Sequence, residues 1–123
     1  GDKPFVVVSA DVVTSFPVAT LPVEPAGLAH LVLVRNPSFH PRGDFGLRDG
    51  LLDMHAQPAH TFANVGIYRP ELFADCTPGF FPLNKLLFPA IEAGKVTGEL
   101  YEGSWFNIGT PEQLAEFAAE YSA

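Results

Sequence analysis

Asp11 follows the run Phe5-Val6-Val7-Val8 across a two-residue spacer, Ser9-Ala10. In open α/β sheets, ligands gather outside the carboxyl ends of strands. A carboxylate there is a natural ligand for a hard cation such as Mg2+. The same residue type also caps turns, so position alone leaves both readings open. Near the other end of the chain, Ser104-Trp105-Phe106-Asn107-Ile108-Gly109-Thr110-Pro111 places a side-chain oxygen, that of Asn107, just before a helix start. Gly109 allows a tight backbone path there. Taken alone, this segment is an ordinary strand-to-helix turn. The remaining chemistry-bearing types form no recognisable constellation. His55 and His60 lack the spacing of a zinc-binding helix, and Cys76 has no partner at metal-ligand spacing. Arg42-Gly43-Asp44 spells an adhesion tripeptide, which chance accounts for, and Pro37 bars glycosylation at Asn36.

The elements that must position these groups alternate between strand and helix. Phe5-Val6-Val7-Val8 is a continuous β-branched and aromatic run, the pattern of a strand buried on both faces. Pro17 to Leu21 reads as a short helix with Pro at its first position. His30 to Val34 is a second strand, stopped by Asn36-Pro37. Phe45 to Leu47 and Leu51 to Met54 flank Asp49-Gly50, a hairpin signal. Thr61 to Tyr68 is a strand interrupted at Gly66, followed by a short helix from Pro70 to Phe73. Leu83, Leu86, Leu87, Ala90 and Ile91 fall at helical spacing, with a kink expected at Pro89 and a stop at Gly94. Val96 to Tyr101 is a last strand. Thr110-Pro111-Glu112-Gln113 is a capping box, and Leu114, Phe117, Ala118 and Tyr121 give the following helix an apolar stripe. The class is α/β.

The 123 residues suit one compact domain, spanning residues 1–123. The formal charge is −7 and the basic residues are scattered, so there is no electrostatic basis for binding nucleic acid. No apolar run reaches the roughly 20 residues of a membrane helix. One cysteine cannot form an internal disulfide, and no signal sequence opens the chain, so the expected location is cytoplasmic. The chain opens at Gly1-Asp2-Lys3-Pro4 without a Met, as a loop in the middle of a protein would.

Taken together, the segments resemble a known family. Phe5 to Asp11 is similar to the strand ending in N-G-D of sugar-1-phosphate nucleotidyltransferases. Gly103-Ser-Trp-Phe-Asn-Ile-Gly-Thr-Pro111 is similar to their W-x-D-[VI]-G-T-P segment. Between them lie His30-Leu-Val-Leu-Val-Arg-Asn-Pro37, Arg42-Gly-Asp-Phe45, Thr61-Phe-Ala-Asn-Val-Gly-Ile-Tyr-Arg-Pro70 and Gly94-Lys-Val-Thr-Gly-Glu99, in the family's order. The branch most resembled is the N-acetylmuramate alpha-1-phosphate uridylyltransferases, which serve recycling of cell-wall peptidoglycan.

The resemblance implies the C-terminal half of a Rossmann-like domain with a mixed sheet. It implies transfer of a nucleotidyl group, uridylyl by preference, from a nucleoside triphosphate to a sugar-1-phosphate, with release of pyrophosphate. Asp11 and Asn107 match the two carboxylate positions that hold Mg2+ in the family, Asp11 being the catalytic one. Asn107 departs from that pattern by lacking charge, and Ser9-Ala10 departs from N-G. Gly43, Asp44, Asn64 and Glu99 match sugar-side positions. The family's G-x-G-T/E-R-[LM] loop and P-K-P segment have no counterpart here. The isolated chain is therefore expected to be inactive and to pair with the N-terminal half of the enzyme or with itself. Two alternatives stay open: half of a mannose-1-phosphate guanylyltransferase, and a non-catalytic remnant or binding module.

Overall fold

The computed structural model describes residues 3–73 and 83–121. Cys76 and the side chain of Tyr121 lie outside the described set. A six-stranded mixed sheet runs in the order β1-β6-β3-β7-β5-β4. Its strands are β1 (Phe5–Val8), β3 (Ala29–Val34), β4 (Gly46–Arg48), β5 (Leu51–Asp53), β6 (Thr61–Tyr68) and β7 (Val96–Tyr101). β3 and β7 run parallel, from Ala29 opposite Val96 to Val34 opposite Tyr101, and every other neighbouring pair is antiparallel. The mixed α/β class matches the expectation. The expected hairpin forms too: Asp49 and Gly50 take φ of 53° and 81°, as a two-residue hairpin loop requires.

The sheet's two faces carry separate cores. On one, α1 (Leu83–Glu92) lays Leu87, Ala90 and Ile91 against Leu31, Leu33, Phe45, Leu52 and Val96. Burying a side chain such as Leu87 contributes about 1.5–3 kcal/mol. Pro89 sits inside the helix, and Gly94 ends it at φ 73° while Lys95 N–H reaches back to the Ala90 carbonyl at 2.9 Å. On the other face, Phe16 and Leu21 cover Val32, Val34, Ala63, Val65 and Ile67, joined by Tyr101 and Trp105.

Three expectations are corrected. β1 is not buried on both faces: it is an edge strand whose four residues are 40–44% exposed. Its β-branched content dictates extended backbone, whereas burial depends on what lies over it, and among the described residues only β6 pairs with it. The short helix expected over Pro17 to Leu21 forms as one 3-10 turn, Val18–Thr20, with Pro17 as its N-cap and not its first residue. Gly66 does not interrupt β6. An added Cβ there would sit tightly, 3.0 Å from Leu31 Cδ2, 3.1 Å from the His30 carbonyl oxygen and 3.2 Å from the Tyr68 hydroxyl.

One feature was unforeseen: β2 (Val12–Thr14) and β8 (Trp105–Asn107) form a two-stranded antiparallel ribbon. From it leads α2 (Pro111–Tyr121). The capping box closes as expected, with Gln113 N–H on Thr110 Oγ1 and Thr110 N–H on Gln113 Oε1, both 3.1 Å. Of the expected stripe, Phe117 packs edge-on against Phe106 with centroids 5.3 Å apart, while Leu114 is half exposed.

Candidate functional site

The ribbon brings Asp11 and Asn107 together. β1 ends at Val8, and the Ser9–Asp11 turn passes the chain into β2, with Asp11 N–H bonded to Ser9 Oγ at 3.3 Å. Val12 lies opposite Asn107, and Ile108 N–H donates to the Asp11 carbonyl at 2.7 Å. Asn107 Oδ1 accepts Gly109 N–H at 3.1 Å, which fixes the amide's orientation. A Cβ at Gly109 would lie 3.1 Å from Asp11 Oδ2 and 3.3 Å from Asn107 Oδ1. Both side-chain oxygens therefore converge on one glycine, whose missing methyl leaves the space between them open. One carboxylate and one amide oxygen are hard donors that suit a Mg2+ ion completing its shell with water and phosphate oxygens. Among the described residues no group of three His, Cys, Asp or Glu could hold a metal ion by itself.

A single backbone bond ties this turn to a cavity: Ser9 N–H donates to the Asn64 carbonyl at 3.0 Å. Asn64 takes φ 59°, rare for a non-glycine residue in a strand. It marks a bulge in which β6 spends four residues, Gly66 back to Phe62, where β3 spends two, Leu31 to Leu33. The bulge turns Asn64 into a cavity of about 290 Å3 shared with Asp44, Phe45, Met54, Phe62 and Phe88. Across the ribbon, Trp105 Nε1 donates to the Ala63 carbonyl at 3.0 Å, so the strand that carries Asn107 also grips the bulge.

Asp44 is set by its loop. Gly43 takes φ 69°, and an added Cβ would press on Asn36 Oδ1 at 2.7 Å and on the Ala59 backbone. Asn36 laces the loop by donating to the carbonyls of Pro41 and Ala59 and accepting from Thr61 Oγ1. Asp44 Oδ2 accepts Phe62 N–H at 2.8 Å, and Oδ1 lies 3.0 Å from His40 Nε2. Beyond Met54, the Asp53 carboxyl is held below the usual carboxylate range, first by the His55 backbone N–H at 2.7 Å and then by Ala56 N–H and Arg48. That turn fixes the hairpin end from which Met54 reaches the cavity.

Asp11 and Asn107 thus form one group, and Asp44 and Asn64 an adjoining one, with Gly43 as the turn that delivers Asp44. Glu99 stands apart. Val96 packs under α1, so by strand alternation Glu99 faces the opposite side, where it meets His30 Nε2 at 3.2 Å. Sequence reasoning missed the cavity's apolar wall, the anchor at His40 and the bond by which Trp105, known only as part of a motif, holds β6. The i,i+4 spacing of His40 and Asp44 was the one available signal.

No protein-family model matches the chain. Over 97% of its length it is 35% identical to an N-acetylmuramate alpha-1-phosphate uridylyltransferase of Neisseria meningitidis serogroup B, of which it covers 55%. The chain thus spans about half the length of that curated relative. Its fold is found in a Bacillus anthracis protein assigned as a glucose-1-phosphate thymidylyltransferase and crystallised with sucrose, at TM-score 0.75 and 16% identity over 98% of this chain and 55% of the other. It is found also in the inositol-1-phosphate CTP transferase of T. maritima, at TM-score 0.70 and 13% identity, again over 98% of this chain and 55% of the other. In sequence the chain is therefore similar to the C-terminal part of one sugar-1-phosphate uridylyltransferase, and it shares its fold with part of the two solved nucleotidyltransferase structures.

Proposed function

We propose that this chain supplies the sugar-1-phosphate side of a nucleotidyl transfer, with uridylyl as the favoured group and N-acetylmuramate-1-phosphate as the favoured acceptor. The observation that carries this reading is the pair of oxygens converging on Gly109, joined through the Ser9–Asn64 bond to the Asp44–Asn64 cavity. In the reaction a phosphate oxygen of the sugar-1-phosphate bonds to the alpha phosphorus of the nucleoside triphosphate. The bond from that phosphorus to the bridging oxygen breaks, and pyrophosphate leaves. Such transfers are catalysed by positioning and charge neutralisation. Asp11 and Asn107 would hold Mg2+, which when bound offsets the phosphate charge. Asp44 and Asn64 offer a carboxylate and an amide to sugar hydroxyl and acetamido groups, and Phe45, Met54, Phe62 and Phe88 supply an apolar wall. The polypeptide corresponding to the rest of the relatives would bring the nucleoside triphosphate and dock along β1, whose outer edge and apolar side chains are exposed.

The test is pyrophosphate release from UTP by this chain joined with that remaining polypeptide, with N-acetylmuramate-1-phosphate as acceptor. Release above that seen with GTP and mannose-1-phosphate supports the reading, and no release with any pair removes it. A second reading, a binding module without catalysis, is favoured by one observation: the Asn107 oxygen is already engaged by Gly109 N–H within its own turn. Sugar-1-phosphate binding without turnover in the joined protein would decide for it.

A further inference from the structure

This inference rests on reading the Asp44–Asn64 cavity as the sugar side of the site. The Asp44 carboxylate has one backbone anchor, Phe62 N–H on Oδ2. With that bond alone, Oδ1 would be oriented by solvent. His40 closes the arrangement, its Nε2 lying 3.0 Å from Oδ1 with the two side chains 39% and 36% exposed. The oxygen can only accept, so Nε2 carries the proton. His40 is itself held by main-chain bonds. Its N–H donates to the Pro37 carbonyl at 2.9 Å, and its carbonyl accepts Gly43 N–H at 3.3 Å. The loop around it is pinned by Asn36, which bonds Pro41 and Ala59. An ordered loop therefore aims an imidazole at one oxygen of a carboxylate that lines a ligand-sized cavity.

We propose that His40 is a positioning residue for this cavity. It fixes the Asp44 carboxylate in one orientation, so that the lone pairs left free by Phe62 and His40 accept from a hydroxyl of the bound sugar. His40 need not touch the ligand. A carboxylate already held at both oxygens loses less freedom on binding, and that saving appears in affinity.

The experiment is a titration of the chain with N-acetylmuramate-1-phosphate, followed by amide NMR, for the parent, His40→Ala and His40→Gln. The expected result is about tenfold weaker binding for His40→Ala, the effect of one lost hydrogen bond. His40→Gln retains an N–H donor and should return to within about threefold of the parent. The Phe62 amide reports on Asp44 directly, so its resonance should move in His40→Ala and return in His40→Gln. The thermal midpoints of the three forms should agree, which separates positioning from folding. Parent-like binding by His40→Ala overturns the proposal, as does a His40→Gln form no better than His40→Ala. A parent chain that binds no sugar phosphate, while its Phe62 amide still depends on His40, overturns the sugar-side reading and the positioning role with it.

Discussion

β1 and β3 are both short runs of strand-forming apolar residues, Phe5-Val6-Val7-Val8 and Leu31-Val32-Leu33-Val34, and their surroundings could hardly differ more. The β1 residues are 40–44% exposed, whereas Leu31 to Val34 of β3 are at most 4% exposed. The cause is placement. β3 lies between β6 and β7, with α1 on one face and the Phe16–Leu21 segment on the other. Among the described residues, β1 pairs with β6 alone. The comparison teaches that an apolar run specifies a strand but not how many of its faces are covered. Within this chain, the stable part of the sheet and the part beside the candidate site are therefore different regions. β1 leads directly into the turn that carries Asp11.

The largest expected effect tests that contrast. Leu33→Ala should destabilise the chain by about 2–5 kcal/mol through cavity formation. Val7→Ala should cost less than about 1 kcal/mol, because the side chain is already half in water. Urea unfolding of both variants is the measurement, and equal losses would mean that β1 is buried in solution.

A pH titration sharpens the same contrast. Burial raises the Tyr68 hydroxyl pKa above its ordinary value near 10. The folded state therefore resists losing this proton while the unfolded state gives it up. Stability should be unaffected by this group below about pH 10 and should fall as pH rises beyond that, by up to about 1.4 kcal/mol per pH unit. Tyr68→Phe should remove this part of the alkaline loss. An unchanged alkaline slope in Tyr68→Phe would show that the ring is not buried.

The smallest effect belongs to the outer region. Thr110→Ala removes the cap of α2 and should cost about 1 kcal/mol. Because the capped first turn precedes the Phe117 contact with Phe106, the loss should appear as local fraying in amide exchange of residues 111–116 more than as a lower unfolding midpoint.

Local signals carried most of the fold. The ends of β6 and β7, the Asp49-Gly50 hairpin, the Gly94 stop and the Thr110 capping box were all legible, because each depends on residues within a few positions of one another. The β2–β8 ribbon was not. It joins two three-residue strands, Val13 opposite Phe106, and neither is long enough to show a period. The bulge at Asn64 was equally hidden, since Gly66 is the residue that looks like an interruption while Asn64 is the one with the left-handed backbone. Of the residues to which the sequence pointed, the fold pairs Asp11 with Asn107 at Gly109 and sets Asp44 and Asn64 on one cavity. Glu99 illustrates the limit: its matched position says nothing of which sheet face it occupies, and strand alternation puts it beside His30.

The central claim is that Asp11 and Asn107 share one cation at the sugar-1-phosphate side of the site. Its most direct test is a Mg2+ titration of pyrophosphate release by the joined protein in three forms: parent, Asn107→Asp and Asp11→Ala. Asn107→Asp puts a formal charge beside the cation at nearly unchanged volume. The Mg2+ midpoint should therefore fall, by about tenfold if the gain is near 1.4 kcal/mol. Asp11→Ala should nearly abolish turnover at any Mg2+ concentration. An unchanged midpoint in Asn107→Asp together with an active Asp11→Ala would contradict the account.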